Sequence, residues 1–157
     1  MSTEIASAGL KVIGAADRVP DAGSGLMKRE AAISNALVGA EKIWVGYVEL
    51  GPGAASATHH HGEAESAIFI ISGHALVYAG GELEEMRIAG PGDFVWVPPH
   101  VVHLEMNASM TEPVKMVVSR STQETLVFNL PTPEGWTPPD DRVLAAACGD
   151  EPAAHEH

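Results

Sequence analysis

The sequence has a single cysteine, Cys148, among 157 residues, so no disulfide can form within the chain and a stapled mini-fold is excluded. Positive charge is scarce. Nine Lys and Arg stand against 21 Asp and Glu, a formal net charge of -12. Nucleic acid and anionic membrane surfaces both demand clustered basic side chains, so neither is expected as a partner. Long apolar runs are missing as well: none approaches the roughly 18–20 residues that a membrane span needs. The start, MSTEIASAGLKVIG, has no basic segment followed by an apolar block, hence no secretory signal is read there. A cytoplasmic protein is the expectation. There is also no internal repeat at solenoid periods.

What remains is an ordinary globular composition, 45% hydrophobic, in a length that suits one domain with one core. Residues 1–28 carry little pattern and read as a flexible lead-in. Residues 131–157 open on the proline-rich PTPEGWTPPDD and end acidic and alanine-rich, so they read as a solvated tail, its final His-Glu-His included.

Between them, residues 29–130 form the expected domain. Short β-prone runs alternate with glycine and proline: IWVGYVEL (43–50), SAIFIIS (66–72), HALVYA (74–79), DFVWVP (93–98), VVHLEMN (101–107), VKMVVSR (114–120) and ETLVFN (124–129). Strands this short, punctuated this regularly, predict an all-β sandwich or small barrel. REAAISNALVGAEK (29–42) is the one helical candidate. Gly39 weakens it, and a strand pair or irregular arm fits equally well.

Chemistry concentrates in two stretches. In HHHGEAES (59–66), alternate residues of an extended strand share a face, so His59 and His61 project together and His60 points away. Glu65 follows four residues after His61 and can return as a carboxylate ligand. In PGDFVWVPPHVVHLEMN (91–107), a Pro-Gly-Asp turn leads into one strand, and Pro98-Pro99 turns the chain into the next. That second strand carries His103 and ends at Asn107. Imidazole nitrogen with carboxylate oxygen suits Fe, Mn, Ni, Zn or Cu.

These stretches resemble the two signature motifs of the cupin superfamily. The first motif reads here as Gly53, five residues, His59-His60-His61, three residues, Glu65, then Gly73. The second reads as Gly92, five residues, Pro98-Pro99-His100, two residues, His103, three residues, Asn107. The resemblance implies a double-stranded β-helix, the jelly-roll barrel of small single-domain bacterial cupins, with irregular arms at both ends. It further implies one divalent metal ion held by His59, His61, Glu65 and His103, and a homodimer packed through N-terminal strands.

Two departures stand out. Seven residues separate Glu65 from Gly73 where the family has six, which puts Ser66 at the usual ligand position. Either a β-bulge brings Glu65 inward, the reading adopted here, or three histidines bind with Ser66 or water. His100 replaces the family's glycine at a turn, and is expected at the surface or the site rim.

Two further residues are candidates for catalysis. Glu105 shares the strand parity of His103 and can act as acid or base if it points inward. Arg120 ends an apolar strand and can meet a substrate carboxylate. The expected function is a metal-dependent enzyme on a neutral or carboxylated small molecule, the reaction being oxygenation, lysis, isomerisation or decarboxylation. A non-catalytic small-molecule binder is the first alternative. A sugar isomerase or epimerase is the second, and is disfavoured for phosphorylated sugars because residues 43–129 hold only Arg87, Lys115 and Arg120.

Overall fold

The structure, a computed structural model, describes residues 8–21 and 26–138. Among the described residues, a short 3-10 turn (Ala15–Asp17) precedes eleven strands, which run in chain order with one α-helical turn between them. They are β1 (Val19–Asp21), β2 (Met27–Ile33), α1 (Asn35–Val38), β3 (Trp44–Leu50), β4 (His59–His60), β5 (Ser66–Ser72), β6 (Ala75–Ala79), β7 (Glu85–Ala89), β8 (Phe94–Val97), β9 (His103–Asn107), β10 (Val114–Arg120) and β11 (Phe128–Asn129). Two antiparallel sheets result, one of six strands in the order β1-β2-β3-β10-β5-β8 and one of five in the order β11-β4-β9-β6-β7. This is the expected all-β jelly roll, the double-stranded β-helix. No helix among the described residues is long and apolar enough to cross a membrane.

The expected strands at 66–72 and 114–120 appear with those bounds. The segment 124–129 contributes only Phe128–Asn129. Residues 29–42 resolve in favour of the sheet. Met27–Ile33 pairs with β3, and Ser34 then caps one helical turn by accepting a hydrogen bond from the Leu37 amide. Gly39, at φ 78°, stops that turn. The six-stranded sheet also draws on residues before 29, through Val19–Asp21 and the start of β2. The terminal His155-Glu156-His157 and Cys148 lie outside the described residues.

Strand parity sorts the side chains. β3 buries Trp44, Gly46, Val48 and Leu50 on one face. Across the sheet, Val48 faces Met116 and Met116 faces Ile70, which makes a continuous apolar row. Val48, Leu50, Ile68, Ile70, Val97, Val114 and Met116 form the larger core cluster. On the smaller sheet, β9 is buried on both faces. His103, Glu105 and Asn107 share one face; Leu104 and Met106 share the other, packed with Leu76, Tyr78 and Leu83. Trp136, from the segment after β11, meets Tyr78 edge-on at 5.1 Å and covers that outer face.

Asn107 locks the turn between β9 and β10. Its Nδ2 donates to the carbonyls of Leu50, Gly51 and Glu112, and its Oδ1 accepts from the Ser109 amide. The residue is fully buried, so its role is to satisfy backbone groups at the closed end of the barrel.

Candidate metal centre

β4 and β9 pair at a single register point, His59 opposite His103. This pairing puts two imidazoles side by side, with ring centres 4.3 Å apart. His61 follows on the same side of the chain, 4.8 Å from the His59 ring and 5.2 Å from that of His103. His60 turns away, as alternation demands, and stacks on Phe128 at 4.9 Å. His100 is exposed at φ 64°, in the turn where the sequence motif has glycine, and its ring lies 6.3 Å from His60.

Each of the three clustered rings is anchored through Nδ1 to a backbone carbonyl. His59 donates to Ala57 (2.6 Å), His61 to Leu126 (2.8 Å) and His103 to Val101 (3.0 Å). A carbonyl only accepts, so the ring proton sits on Nδ1 and Nε2 is the atom of each ring that can serve as a ligand. One donor atom from each ring lies within 4.8 Å of the others, a set that can hold a metal ion. Burial keeps the His59 and His61 rings neutral. It pushes His59 down to about 3, helped by the neighbouring His103, and His61 down to about 4. A neutral imidazole is the state that binds a metal.

Glu65 does not join them. It is exposed, and its carboxylate accepts a hydrogen bond from the Trp96 indole (2.7 Å) on the outside of the barrel. The physical reason is parity. Ser66, Ile68 and Ile70 face inward on β5 and Glu65 precedes Ser66, so it faces out. β5 does carry an irregularity, but it falls where Met116 pairs with Ile70 and Lys115 with Ser72. It leaves the parity next to Glu65 unchanged.

The carboxylate inside the barrel is Glu105. It is buried, and its Oε1 lies 3.9 Å from His103 Nε2. Burial pushes its carboxyl up, against the pull of His103 and Arg29. Arg120 is also interior, on β10 opposite Ser66. Arg29, on β2, was outside the residues that the motifs drew together. The signal for it was the alternation of Met27, Arg29 and Ala31 along a strand.

These side chains border one cavity of about 30 Å³, with Met27, Val48, Ile68, Val97 and Val118 as its apolar wall. That volume admits an ion with a water or a molecule of few atoms.

The sequence model of the family described as Cupin domain matches residues 46–120. No curated protein sequence matches the chain. Among solved structures, the polyketide cyclase RemF from Streptomyces resistomycificus is similar with a TM-score of 0.66 at 18% identity, over 80% of this chain and 88% of that one. A conserved protein with a double-stranded β-helix domain from Klebsiella pneumoniae gives 0.61 at 20% identity, over 78% and 99%. A predicted oxalate decarboxylase from Thermotoga maritima gives 0.60 at 14% identity, over 71% and 99%. At such identities the likeness speaks for the fold.

Proposed function

We propose, for a chain that belongs to the cupin superfamily, a metal-dependent enzyme acting on a small organic molecule inside the barrel. One observation carries this reading: the imidazoles of buried His59 and His103 and half-buried His61, each held through Nδ1 by a backbone carbonyl, bring one donor atom each within 4.8 Å of one another. Histidines kept only for packing have no need to gather three ring donor atoms at one point. In this reading His59, His61 and His103 hold the ion. A bound Fe, Mn, Ni, Zn or Cu would supply Lewis-acid or redox chemistry.

The rest is done by the chain. Glu105, beside His103 and biased toward its protonated form, is placed to give a proton to a substrate or take one from it. Val48, Ile68, Val97 and Val118 exclude water and so strengthen every charge interaction within. Similar barrels, a polyketide cyclase and a predicted oxalate decarboxylase, fit enzymes on small organic molecules. A shared fold does not transfer a reaction.

The test is the metal content of untagged protein beside His103→Ala. Near-stoichiometric metal in the wild type, lost in the variant, supports the centre, and the metal's identity separates redox from Lewis-acid chemistry. A wild type that takes up no metal after incubation with Fe, Mn, Ni, Cu and Zn sinks the reading and leaves a binder of organic molecules.

A further inference from the structure

Two arginines enter the barrel interior without a structural task that uses all their donors. Arg29 is 9% exposed and Arg120 only 3%. Arg120 donates from Nε to the Thr122 carbonyl (3.2 Å) and from Nη2 to that of Gln123 (3.4 Å), while its buried Nη1 has no hydrogen-bond partner. Nε and Nη2 of Arg29 are buried and equally without a partner, Asp21 standing 3.9 Å from Nε, beyond hydrogen-bond reach. Buried guanidinium N–H groups are rarely left idle, because desolvating them is costly.

The two cations are also held in place. The Trp44 indole lies against both, with guanidinium carbons at 5.3 Å (Arg29) and 4.1 Å (Arg120) from its ring. Gly46 makes room for that indole: a Cβ at Gly46 would stand 2.2 Å from it. Both arginines border the same cavity as the three histidines. Arg29 is near enough that its charge acts on His59, His61 and Glu105. Two guanidinium charges thus face one small cavity in which Glu105 is the single carboxyl group among the described residues. This arrangement is unfavourable by itself and becomes favourable when an anion arrives.

We infer that the ligand of this cavity is a small carboxylate, gripped by the unpartnered N–H groups of Arg29 and Arg120 beside the three histidines. The inference rests on the proposed metal-dependent site and names its substrate class. A carboxylate fits the donors because its two oxygens match the planar fork of a guanidinium. The cavity of about 30 Å³ and its valine and isoleucine wall restrict the remainder to a short, apolar body.

The experiment is calorimetric titration of untagged full-length protein with formate, acetate and malonate. Formamide, acetamide and malonamide serve as uncharged isosteres. Metal-loaded and chelator-treated protein are compared, in wild type, Arg29→Gln, Arg120→Gln and Arg120→Lys. At least one carboxylate is expected to bind tenfold or more tighter than its amide. That preference should fall at least tenfold in both glutamine variants, with metal content unchanged, and Arg120→Lys should recover only part of it.

Three results would overturn the inference: no binding by any of the three carboxylates, equal affinity for acid and amide, or a preference that survives both glutamine substitutions, which would leave the metal alone as the selecting group. Arg120 supports two backbone carbonyls, so Arg120→Gln can fail to fold; Arg29→Gln and chelator-treated wild type then still decide. A wild type that prefers carboxylates but takes no metal keeps the anion site and sinks the metal centre. Metal uptake without acid preference does the reverse.

Discussion

The two ends of the barrel interior are differently made. One end is Leu50, Ile70, Val114 and Met116, each at most 1% exposed. The other is His59, His61, His103, Glu105, Arg29 and Arg120, all buried or nearly so. The first end stabilises the fold by apolar burial. The second sets imidazoles against one another and keeps two cations beside a carboxylate, which burial penalises. An interior built for stability alone would repeat the first end in the second. The difference supports the proposed reading of the histidine end as the part kept for chemistry.

Substitutions at the two ends should therefore fail in opposite ways. Met116→Ala removes a fully buried side chain from the apolar row and is expected to cost about 2–5 kcal/mol in denaturant unfolding, with the metal-to-protein ratio unchanged. His103→Ala should abolish metal binding while the metal-free variant keeps most of the stability of metal-free wild type. Equal losses of stability in both, with metal retained in both, would erase the comparison.

Asn107 tests where the boundary lies. It sits on β9, two residues from Glu105 and on the same face, yet its amide is spent wholly on backbone groups. Asn107→Ala is expected to behave like the apolar end. At roughly 1–3 kcal/mol for a buried group left unpaired, it should lose stability clearly and bind metal at the wild-type ratio when folded. Selective loss of metal at unchanged stability would move Asn107 into the site.

Acid gives a graded form of the same contrast. His59 and His61 titrate at about 3 and about 4 when folded, because burial disfavours their charged forms, against an ordinary 6.5. Below pH 6.5 the unfolded chain takes up protons that the folded chain refuses. Metal-free protein should then lose stability as the pH falls from 6.5 toward 4, by at most ~1.4 kcal/mol per pH unit for each of the two histidines. Glu105 acts in the opposite sense, since its raised carboxyl favours the fold below its ordinary 4.5 and that contribution is lost as the pH rises. Urea unfolding of metal-free wild type and of the His59→Asn, His61→Asn double variant checks this. The double variant should lose less across the window, and parallel curves would refute the burial argument.

Much of this was legible in the sequence, and the exceptions share a cause. Short β-prone runs between glycine and proline placed most strands, and period-two alternation put His59 with His61, because burial of one face is written directly into such a pattern. β7, Glu85–Ala89, went unread: four of its five residues are exposed, so no alternation marks it. Arg29 was missed because a strand and a helix both fit residues 29–42, and only pairing with β3 decides between them. The interior carboxylate was misplaced for a related reason. Spacing to Gly73 cannot say which residue of β5 absorbs an insertion, whereas the pairing with β10 puts it at Ile71, beyond the stretch that sets the parity of Glu65.

The smallest expected effect settles that last point. Glu65→Ala removes an exposed carboxylate whose side chain holds the Trp96 indole, itself 63% exposed. Surface changes of this kind usually shift stability by about 0.5 kcal/mol or less. Metal content should match the wild type, because the side chain lies on the other side of the sheet from His59, His61 and His103. Ser66→Ala, one residue on, is the partner measurement: Ser66 lines the cavity, so its loss should alter metal affinity or the spectrum of a bound cobalt ion, and Glu65→Ala should alter neither. Metal lost in Glu65→Ala and kept in Ser66→Ala would mean that the strand turns over in the loaded protein, with Glu65 swinging inward to complete the centre.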